Sequence, residues 1–456
     1  MGLFKLKGFP GRGTFRHGIH PPDKKEYSAE RPIEVMPFPD KVVLPLLQHI
    51  GAPCQPVVKP KDHVRFGERI GVGKAFVSAS LHSPIAGKVQ KIANITLPNG
   101  RHLPAIHIKN EEEQVSHGKL WKEMVTTEWP NDCISIYDAE TISKIIHDSG
   151  VVGLGGAAFP THVKVMPDER KMIDTLLVNG CECEPYLTPD YRLMVELPNA
   201  VVTGALLAGR AISAREIIIC IEDNKPRAIA RLKKATQQTV IKIAVVKTKY
   251  PQGSEKQLVK AVLDIDVPLG GLPGDIGVAI SNVGTMAAIA KGVILEEPLT
   301  HRVISVSGGG IAQPKNLFVP IGISMGEVIE FCGGLKKNAA RIIAGGPMMG
   351  FAFSDPATPV TKGTSGITVL THDEIAVENE TACVRCGRCV DACPMNLVPT
   401  RLAMAARYNN PGLAEQYHIT ACFECGSCSY VCPAHIKLVQ LIRTGKAQLA
   451  AARGNR

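Results

Sequence analysis

The stretches Cys383–Pro394 (CVRCGRCVDACP) and Cys422–Pro433 (CFECGSCSYVCP) decide how the end of this chain folds. Each carries four cysteines separated by two, two and three residues, and each closes on a proline. With this spacing one loop wraps three thiolates around an iron–sulfur cluster, while the fourth cysteine ligates the neighbouring cluster. A zinc site is the alternative, but structural zinc normally takes two CxxC pairs set well apart. Two complete blocks therefore favour two [4Fe-4S] clusters.

The crossed pattern assigns the eight cysteines to two ligand sets. Cluster 1 would be held by Cys383, Cys386, Cys389 and Cys432, and cluster 2 by Cys422, Cys425, Cys428 and Cys393. We expect the fourth cysteine of each block to begin a helix. Between the blocks, the pattern predicts a helix, a break at residues 409–412 and a second short helix. Residues 375–456 are thus expected to form an α-helical, ferredoxin-like domain with two clusters.

The whole-chain composition restricts the function classes. With 456 residues the chain is too long for one core, so several domains are expected. It has 14 cysteines and no signal-peptide pattern, which indicates a reducing compartment and metal ligation rather than disulfides. No apolar window of about 18 residues predicts a membrane span. The net charge of +10 suits an acidic protein or an anionic membrane surface, whereas scattered basic residues without interleaved aromatics argue against nucleic acid.

A ferredoxin-like domain moves electrons singly and does not accept hydride, so a two-electron donor requires a flavin in between. Upstream, the segment VVGLGGAAFPTHVK (151–164) contains three glycines that permit close backbone approach to phosphate. A helix is expected to follow from Pro160. Taken by itself, this glycine cluster fits a plain tight turn equally well.

Strands and helices alternate after that loop. Residues 174–185, 215–224 and 241–258 each begin with an apolar segment that predicts a buried strand and continue into a polar turn. Helices are expected between them, at residues 199–212 and 225–238. This alternation predicts an α/β sheet, whose ligands bind beyond the carboxyl ends of the strands, where the polar turns lie.

At this point the chain resembles a known family. The motifs GLGGAAFPTHVK, NGCECEP, YPQGSE and NVGT occur in the same order in the NADH-binding flavoprotein subunit of respiratory complex I. The closer resemblance is to the C subunit of the Rnf complex, a membrane-bound, ion-translocating NAD:ferredoxin oxidoreductase, because the N-terminal segment GIHPP (18–22) is also present. The resemblance covers nearly the whole chain.

The resemblance implies a set of cofactor residues. The glycine loop and Lys164 would line the FMN and NADH phosphates, and Glu255 would act in the reaction near the nicotinamide. The implied cofactor-binding residues are Gly153, Gly155, Gly156, Ala158, Lys164, Asn179, Glu182, Tyr250, Gly253, Asn282 and Thr285. Three positions depart from the complex I pattern: Ala158 replaces a glycine, Cys181 an aspartate and Ser254 a glutamate.

Two β modules flank the α/β region. The first has two similar half-repeats and resembles the barrel-sandwich hybrid of lipoyl carriers, with Lys74 in the matching hairpin; a docking module is favoured over a swinging arm. The second resembles the small β-grasp module of both relatives. The expected division is an arm (1–30), a barrel-sandwich-like β domain (31–118), a Rossmann-like α/β domain for FMN and NADH (130–300), a β-grasp module (301–353), a surface linker (354–374) and the ferredoxin-like domain (375–456).

The resulting hypothesis is a peripheral enzyme subunit on the cytoplasmic face of the inner membrane. It would exchange hydride between NAD(H) and FMN and pass electrons through two [4Fe-4S] clusters to or from other Rnf subunits, and indirectly ferredoxin. One alternative is a soluble NADH-dependent reductase subunit with flavin and iron–sulfur clusters. A second alternative is a non-enzymatic electron-transfer scaffold whose α/β domain has lost its nucleotides.

Overall fold

A computed structural model describes residues 6–111, 114, 117–131, 133–166, 172–375 and 379–454. Residues 1–5 of the predicted arm, and residues 376–378 and 455–456 of the predicted ferredoxin-like domain, lie outside this part of the chain. The described arm runs along the α/β domain. Gly11 donates its N–H to Val262 O, and a Cβ at Gly11 would lie 2.1 Å from Ala261 O, so only glycine allows this approach.

The N-terminal β module is antiparallel and consists of two small sheets. Its first sheet has the strand order β2-β8-β7-β4 and its second the order β3-β5-β6, in which the strands are β2 (Lys41–Pro45), β3 (Gln55–Pro56), β4 (His63–Val64), β5 (Arg69–Val72), β6 (Leu81–His82), β7 (Gly87–Thr96) and β8 (His102–Lys109). Inward-facing residues such as Leu44, Ile70 and Ile106 are fully buried between them. The strand β1 (Ile33–Val35) precedes this module but does not join it.

The α/β domain is built on a four-stranded parallel sheet in the order β11-β10-β9-β12. The helix α1 (His117–Thr126) precedes this domain and contacts β1. The elements of the domain are α2 (Ala139–Asp148), α3 (Thr161–Val165), β9 (Thr175–Gly180), α4 (Pro189–Glu196), α5 (Pro198–Ala211), β10 (Glu216–Glu222), α6 (Pro226–Ala235), β11 (Lys242–Val246), α7 (Glu255–Leu263), β12 (Val278–Asn282) and α8 (Val283–Ile294). The middle strands read as near-continuous apolar runs because helices cover both faces of the sheet.

The β-grasp module is larger than predicted. Its six-stranded sheet has the order β1-β14-β13-β17-β15-β16 and includes β13 (His301–Ser307), β14 (Lys315–Pro320), α9 (Met325–Phe331), β15 (Ala339–Ala344), β16 (Phe351–Phe353) and β17 (Gly366–Thr371). The expectation of a surface linker at 354–374 is wrong, because β17 pairs with β13 and β15 inside the sheet. The polar residues before β17 suggested a surface, yet Lys362 is 1% exposed.

The C-terminal domain is helical, as predicted. It contains α10 (Arg388–Asp391), α11 (Pro399–Arg407), α12 (Pro411–Gln416), α13 (Ser427–Tyr430) and α14 (Leu438–Gly454). The expectation that each fourth cysteine begins a helix is wrong. The one-turn helices α10 and α13 instead contain the third cysteines, because a positive-φ glycine begins each helix, and the chain leaves it before the fourth cysteine. Within the described residues, no helix combines the length and apolarity needed to cross a membrane.

Candidate functional site

Both cysteine blocks follow the same backbone course. Gly387 and Gly426, each just before the one-turn helix that holds the third cysteine, have φ values of +79° and +85°. This left-handed conformation favours glycine and turns the loop around the space its thiols enclose. The matching conformation explains why the same spacing recurs in the two blocks.

The last cysteine of the first block lies with the second block. Its neighbours are Cys422, Cys425 and Cys428, and the pKa of each is raised, first by burial and further by the charge of Cys393 close by. For Cys422 the pKa rises to about 11 despite the nearby Lys446 ammonium, which lowers it. Cys393 therefore lies near Cys422, Cys425 and Cys428; of these four, Cys393 and Cys428 are buried and the other two are half-buried.

The reciprocal relation holds for the first block. Burial raises the pKa of Cys389, and the charges of Cys432 and Cys383 add to that effect. Cys383 and Cys386 are exposed, whereas Cys389 is buried. The first group thus lies nearer the surface than the second.

Across the described residues, no three His, Cys, Asp or Glu side chains form a group suited to a single metal ion.

The glycine loop forms a short hairpin closed by a bridge between Val152 and Pro160, and α3 follows directly. Gly156 has a φ of +105°, and a Cβ there would meet no atom within 4 Å. At Gly155, by contrast, an added Cβ would lie 3.2 Å from the Cβ of Asn282, so this glycine packs against the Asn282 side chain. The loop therefore has one side packed on the protein and one side that leaves room for phosphate to approach backbone N–H groups.

A buried polar network holds the loop from beneath. The Thr285 hydroxyl accepts from Leu154 N (2.9 Å), and Arg302 donates to Leu154 O (3.2 Å). Asn282 Nδ2 donates to Asp190 Oδ2 (2.7 Å). Burial raises the pKa of Asp190 to about 6 and lowers that of Arg302 to about 10. Asn282 and Thr285 thus lie beside the loop, and their side chains position it.

Lys164 and Glu255 meet across the carboxyl edge of the sheet. Lys164 Nζ lies 2.6 Å from Glu255 Oε1 and also donates to Ile280 O (3.0 Å). Both side chains remain partly exposed, at 29% and 44%. An ammonium and a carboxylate therefore lie together at this edge, and both are accessible to solvent.

The turn after β9 is tied to the turn before α7. Asn179 Nδ2 donates to Gly253 O (2.8 Å), and a Cβ at Gly253 would lie 2.3 Å from Cys181 O. Glu182 lies inside the protein, where its carboxylate accepts from Asp190 N (2.8 Å) at the start of α4. Burial raises the pKa of Glu182 to about 8. Glu182 therefore supports the turn from within.

Tyr250 joins the α/β domain to the second cysteine block. It is 2% exposed, and its hydroxyl donates to Cys425 O (2.6 Å). Its backbone pairs with Ile19 of the arm, with N–H···O distances of 2.9 Å in both directions. Around it, an apolar seam connects the sheet edge with the cysteine loop and is made of Ile19, Cys183, Tyr250, Met348, Ala392, Cys425 and Val431.

Several further charged residues lie in this region, although the sequence motifs assigned them no role. Glu184 accepts from Met348 N (3.1 Å) and Met349 N (2.8 Å), and Lys25 of the arm donates to Glu184 O (2.9 Å). Glu222 and Lys225 are buried at the same edge. The sequence feature that could have indicated Glu222 is a charged residue at the end of an apolar strand, as in EIIICIE (216–222).

Four family models match the chain in the order of its domains. They are the RnfC barrel sandwich hybrid domain (residues 13–113), the Nuo51 FMN-binding domain (146–291), the SLBB domain (303–352) and the 4Fe-4S dicluster domain (382–436). The predicted layout of modules is confirmed at this level. FMN and [4Fe-4S] clusters are accordingly cofactors of this chain.

Curated relatives are similar over nearly the full length. The C subunit of the proton-translocating ferredoxin:NAD(+) oxidoreductase complex of Clostridium ljungdahlii is 44% identical over 445 residues, covering 96% of this chain and 94% of the relative. The Na(+)-translocating counterpart of Acetobacterium woodii is 39% identical, covering 97% and 98%. A crystal structure of NAD+-reducing [NiFe]-hydrogenase in the H2-reduced state has a TM-score of 0.52 at 20% identity, covering 74% of this chain and 71% of that one. That structure shares the fold.

The fold and the matched domains define a flavin- and iron–sulfur-containing electron-transfer protein. The chain belongs to the RnfC family, the C subunits of ion-translocating ferredoxin:NAD+ oxidoreductase complexes. The predicted resemblance to this family is confirmed.

Proposed function

We propose that this chain is the peripheral NAD(H)-reactive subunit of a membrane-bound, ion-translocating NAD:ferredoxin oxidoreductase. When bound, FMN supplies the exchange between two-electron and one-electron chemistry, and two [4Fe-4S] clusters carry single electrons to or from partner subunits. The observation that carries the proposal is the contact from Tyr250 to Cys425, which joins the nucleotide edge of the sheet to a cysteine loop.

The residues of the glycine loop would hold phosphate. The open side at Gly156 presents backbone N–H groups, and Lys164 adds a cation near the start of α3. Asn282 and Thr285 keep the loop in place. Glu255, with its carboxylate paired to Lys164, would orient the nicotinamide end, so we assign it to the reaction.

The second cysteine group would be the cluster nearest the flavin. Besides Tyr250, Gln257 of α7 donates to Pro394 O (3.1 Å), beside Cys393. The first group, with Cys383 and Cys386 exposed, would exchange electrons with a partner.

Partner subunits would hold the chain at the cytoplasmic face of the inner membrane. NADH is the expected substrate, ferredoxin is reached indirectly, and the integral membrane and iron–sulfur subunits of the complex are the expected partners. The net charge of +10 favours docking against acidic subunits or anionic lipid.

The test is made on anaerobically purified protein, in which iron and released FMN are counted and NADH is then added. About eight irons and about one FMN per chain, both bleached by NADH, are expected. Full iron with no flavin and no bleaching, even after FMN is added back, would instead indicate the electron-transfer scaffold. Activity with soluble acceptors, together with failure to copurify with membrane subunits, would indicate the soluble reductase.

A further inference from the structure

Glu222 is a buried carboxylate at the carboxyl end of β10. It is 1% exposed, and neither carboxylate oxygen makes a hydrogen bond with any described residue. Burial raises the pKa of Glu222, while the ammoniums of Lys225 and Lys25 and the nearby backbone N–H of Lys249 lower it. Buried polar groups are nearly always hydrogen-bonded, so a carboxylate in this position points to a ligand.

Lys225 lies three residues further along the chain and is 4% exposed. Its ammonium makes one hydrogen bond within the described chain, to Asn224 Oδ1 (2.5 Å). An ammonium carries three donors, so two remain for another group. Lys225 and Glu222 do not form an ion pair, although the charge of each shifts the pKa of the other.

The two side chains lie at the nucleotide edge of the sheet. The charge of Glu222 raises the pKa of both Cys181 and Cys183, which lie in the turn after β9. Gly253 donates its N–H to Cys183 Sγ (3.4 Å) in that same turn. In the parallel pairing of β10 with β9, Ile221 lies opposite Gly180, so Glu222 lies beside the turn that carries Cys181 and Cys183.

We infer that Glu222 and Lys225 bind the amide edge of a planar ring cofactor. The carboxylate would accept from an N–H group, and the ammonium would donate to an adjacent carbonyl oxygen. The pyrimidine end of a flavin and the carboxamide of a nicotinamide both present this chemistry. The inference rests on the proposed function, and it gives the site the charged contact that sets the position and electronics of the ring.

The test compares Glu222→Gln with Glu216→Gln, which lies at the other end of β10, is 43% exposed and pairs with Lys242. FMN is titrated into cluster-loaded, flavin-depleted chain, and binding is followed by quenching of flavin fluorescence. E222Q is expected to raise the dissociation constant about tenfold, since a charged hydrogen bond is lost. E216Q is expected to match the wild type.

A second measurement separates the two rings. In FMN-loaded chain, an unchanged FMN affinity together with an NADH KM raised about tenfold would assign the pair to the nicotinamide. Unchanged FMN affinity and unchanged KM in both E222Q and Lys225→Met would overturn the inference. Lys242→Met is the matched control for K225M.

Folding of the α/β domain is judged by circular dichroism and thermal unfolding, and Glu222→Asp, which keeps the charge, is used if E222Q does not accumulate. E222D is then expected to weaken binding less than K225M does, and wild-type FMN affinity together with wild-type NADH KM in both variants would overturn the inference. If wild-type chain itself binds no FMN, the proposed function fails, whereas wild-type FMN affinity together with wild-type NADH KM in both E222Q and K225M defeats only this inference.

Discussion

The hydroxyl of Tyr250 donates a 2.6 Å hydrogen bond to the carbonyl oxygen of Cys425. One residue belongs to the turn before α7, the other to the cysteine loop of the C-terminal domain. Both are also part of the seam that Ile19 of the arm completes. This contact joins the turn before α7 to the cysteine loop.

Removing the Tyr250 hydroxyl should slow transfer between those sites. Tyr250→Phe leaves the buried Cys425 carbonyl without its donor, at a cost of about 1–3 kcal/mol, and loosens the loop. We expect slower bleaching of cluster absorbance by NADH in stopped-flow measurements, with flavin reduction unchanged. Tyr408→Phe, in a side chain that is 76% exposed, is the control. Equal cluster-reduction rates in Y250F and wild type would contradict this role.

The crossed grouping of cysteines predicts which substitutions share a phenotype. Cys393→Ser should alter the same cluster signal as Cys425→Ser, and Cys432→Ser the same signal as Cys386→Ser. The reason is that Cys393 lies with the second block and Cys432 with Cys389. Low-temperature EPR of the reduced protein distinguishes the signals. If C393S instead matched C386S, each block would hold its own cluster.

Gly156 should be needed for FMN binding. Gly156→Ala places a methyl group in the open side of the loop and strains a backbone at φ +105°. Gly270→Ala imposes similar strain at φ +77°, also with no atom within 4 Å of the new Cβ. We expect G156A to raise the FMN dissociation constant at least about tenfold, a cost of about 1.4 kcal/mol, and G270A to leave it unchanged. Equal affinities would place the phosphate elsewhere.

Glu255 should matter for NADH oxidation and not for flavin retention. Glu255→Gln removes the charge that Lys164 Nζ contacts at 2.6 Å, without changing side-chain size. We expect the rate of NADH oxidation to fall about tenfold or more while FMN content stays at the wild-type level. Asp266→Asn, which removes a carboxylate from the exposed ion pair with Lys260, controls for loss of charge. Wild-type turnover in E255Q would remove Glu255 from the reaction.

The parts of this protein that sequence predicts well depend on local pattern. The cysteine spacing, the glycine before each one-turn helix and the apolar strand of β9 are each encoded within about a dozen residues. The fold class and the order of the domains followed from such segments. The sheet edge could also be anticipated, because polar turns follow parallel strands at one edge.

Contacts between residues far apart in the chain could not be predicted from the sequence. Nothing near β1 or β17 indicates that they join one sheet, because their partners lie far away along the chain. The sequence indicated that Glu222 ends a strand. That its carboxylate has no hydrogen-bond partner among the described residues is visible only in the folded protein. Ion pairs and buried charges depend on distant residues, so their roles appear only in three dimensions.

Lys362 gives a pH dependence of stability with a definite sign. Its ammonium is buried and donates to Ser80 O and Gly150 O, both at 2.7 Å, which ties the β-grasp module to the two domains before it. Burial lowers its pKa from 10.5 to about 8. Between these values the unfolded chain binds more protons than the folded chain, so stability due to Lys362 rises with pH. Relative to Lys362→Met, the wild type should gain about 2 kcal/mol from pH 7 to pH 9.5. Denaturant unfolding of both proteins at the two pH values measures this, with Lys122→Met as the exposed control, and parallel pH curves for wild type and K362M would show that Lys362 keeps its ordinary pKa.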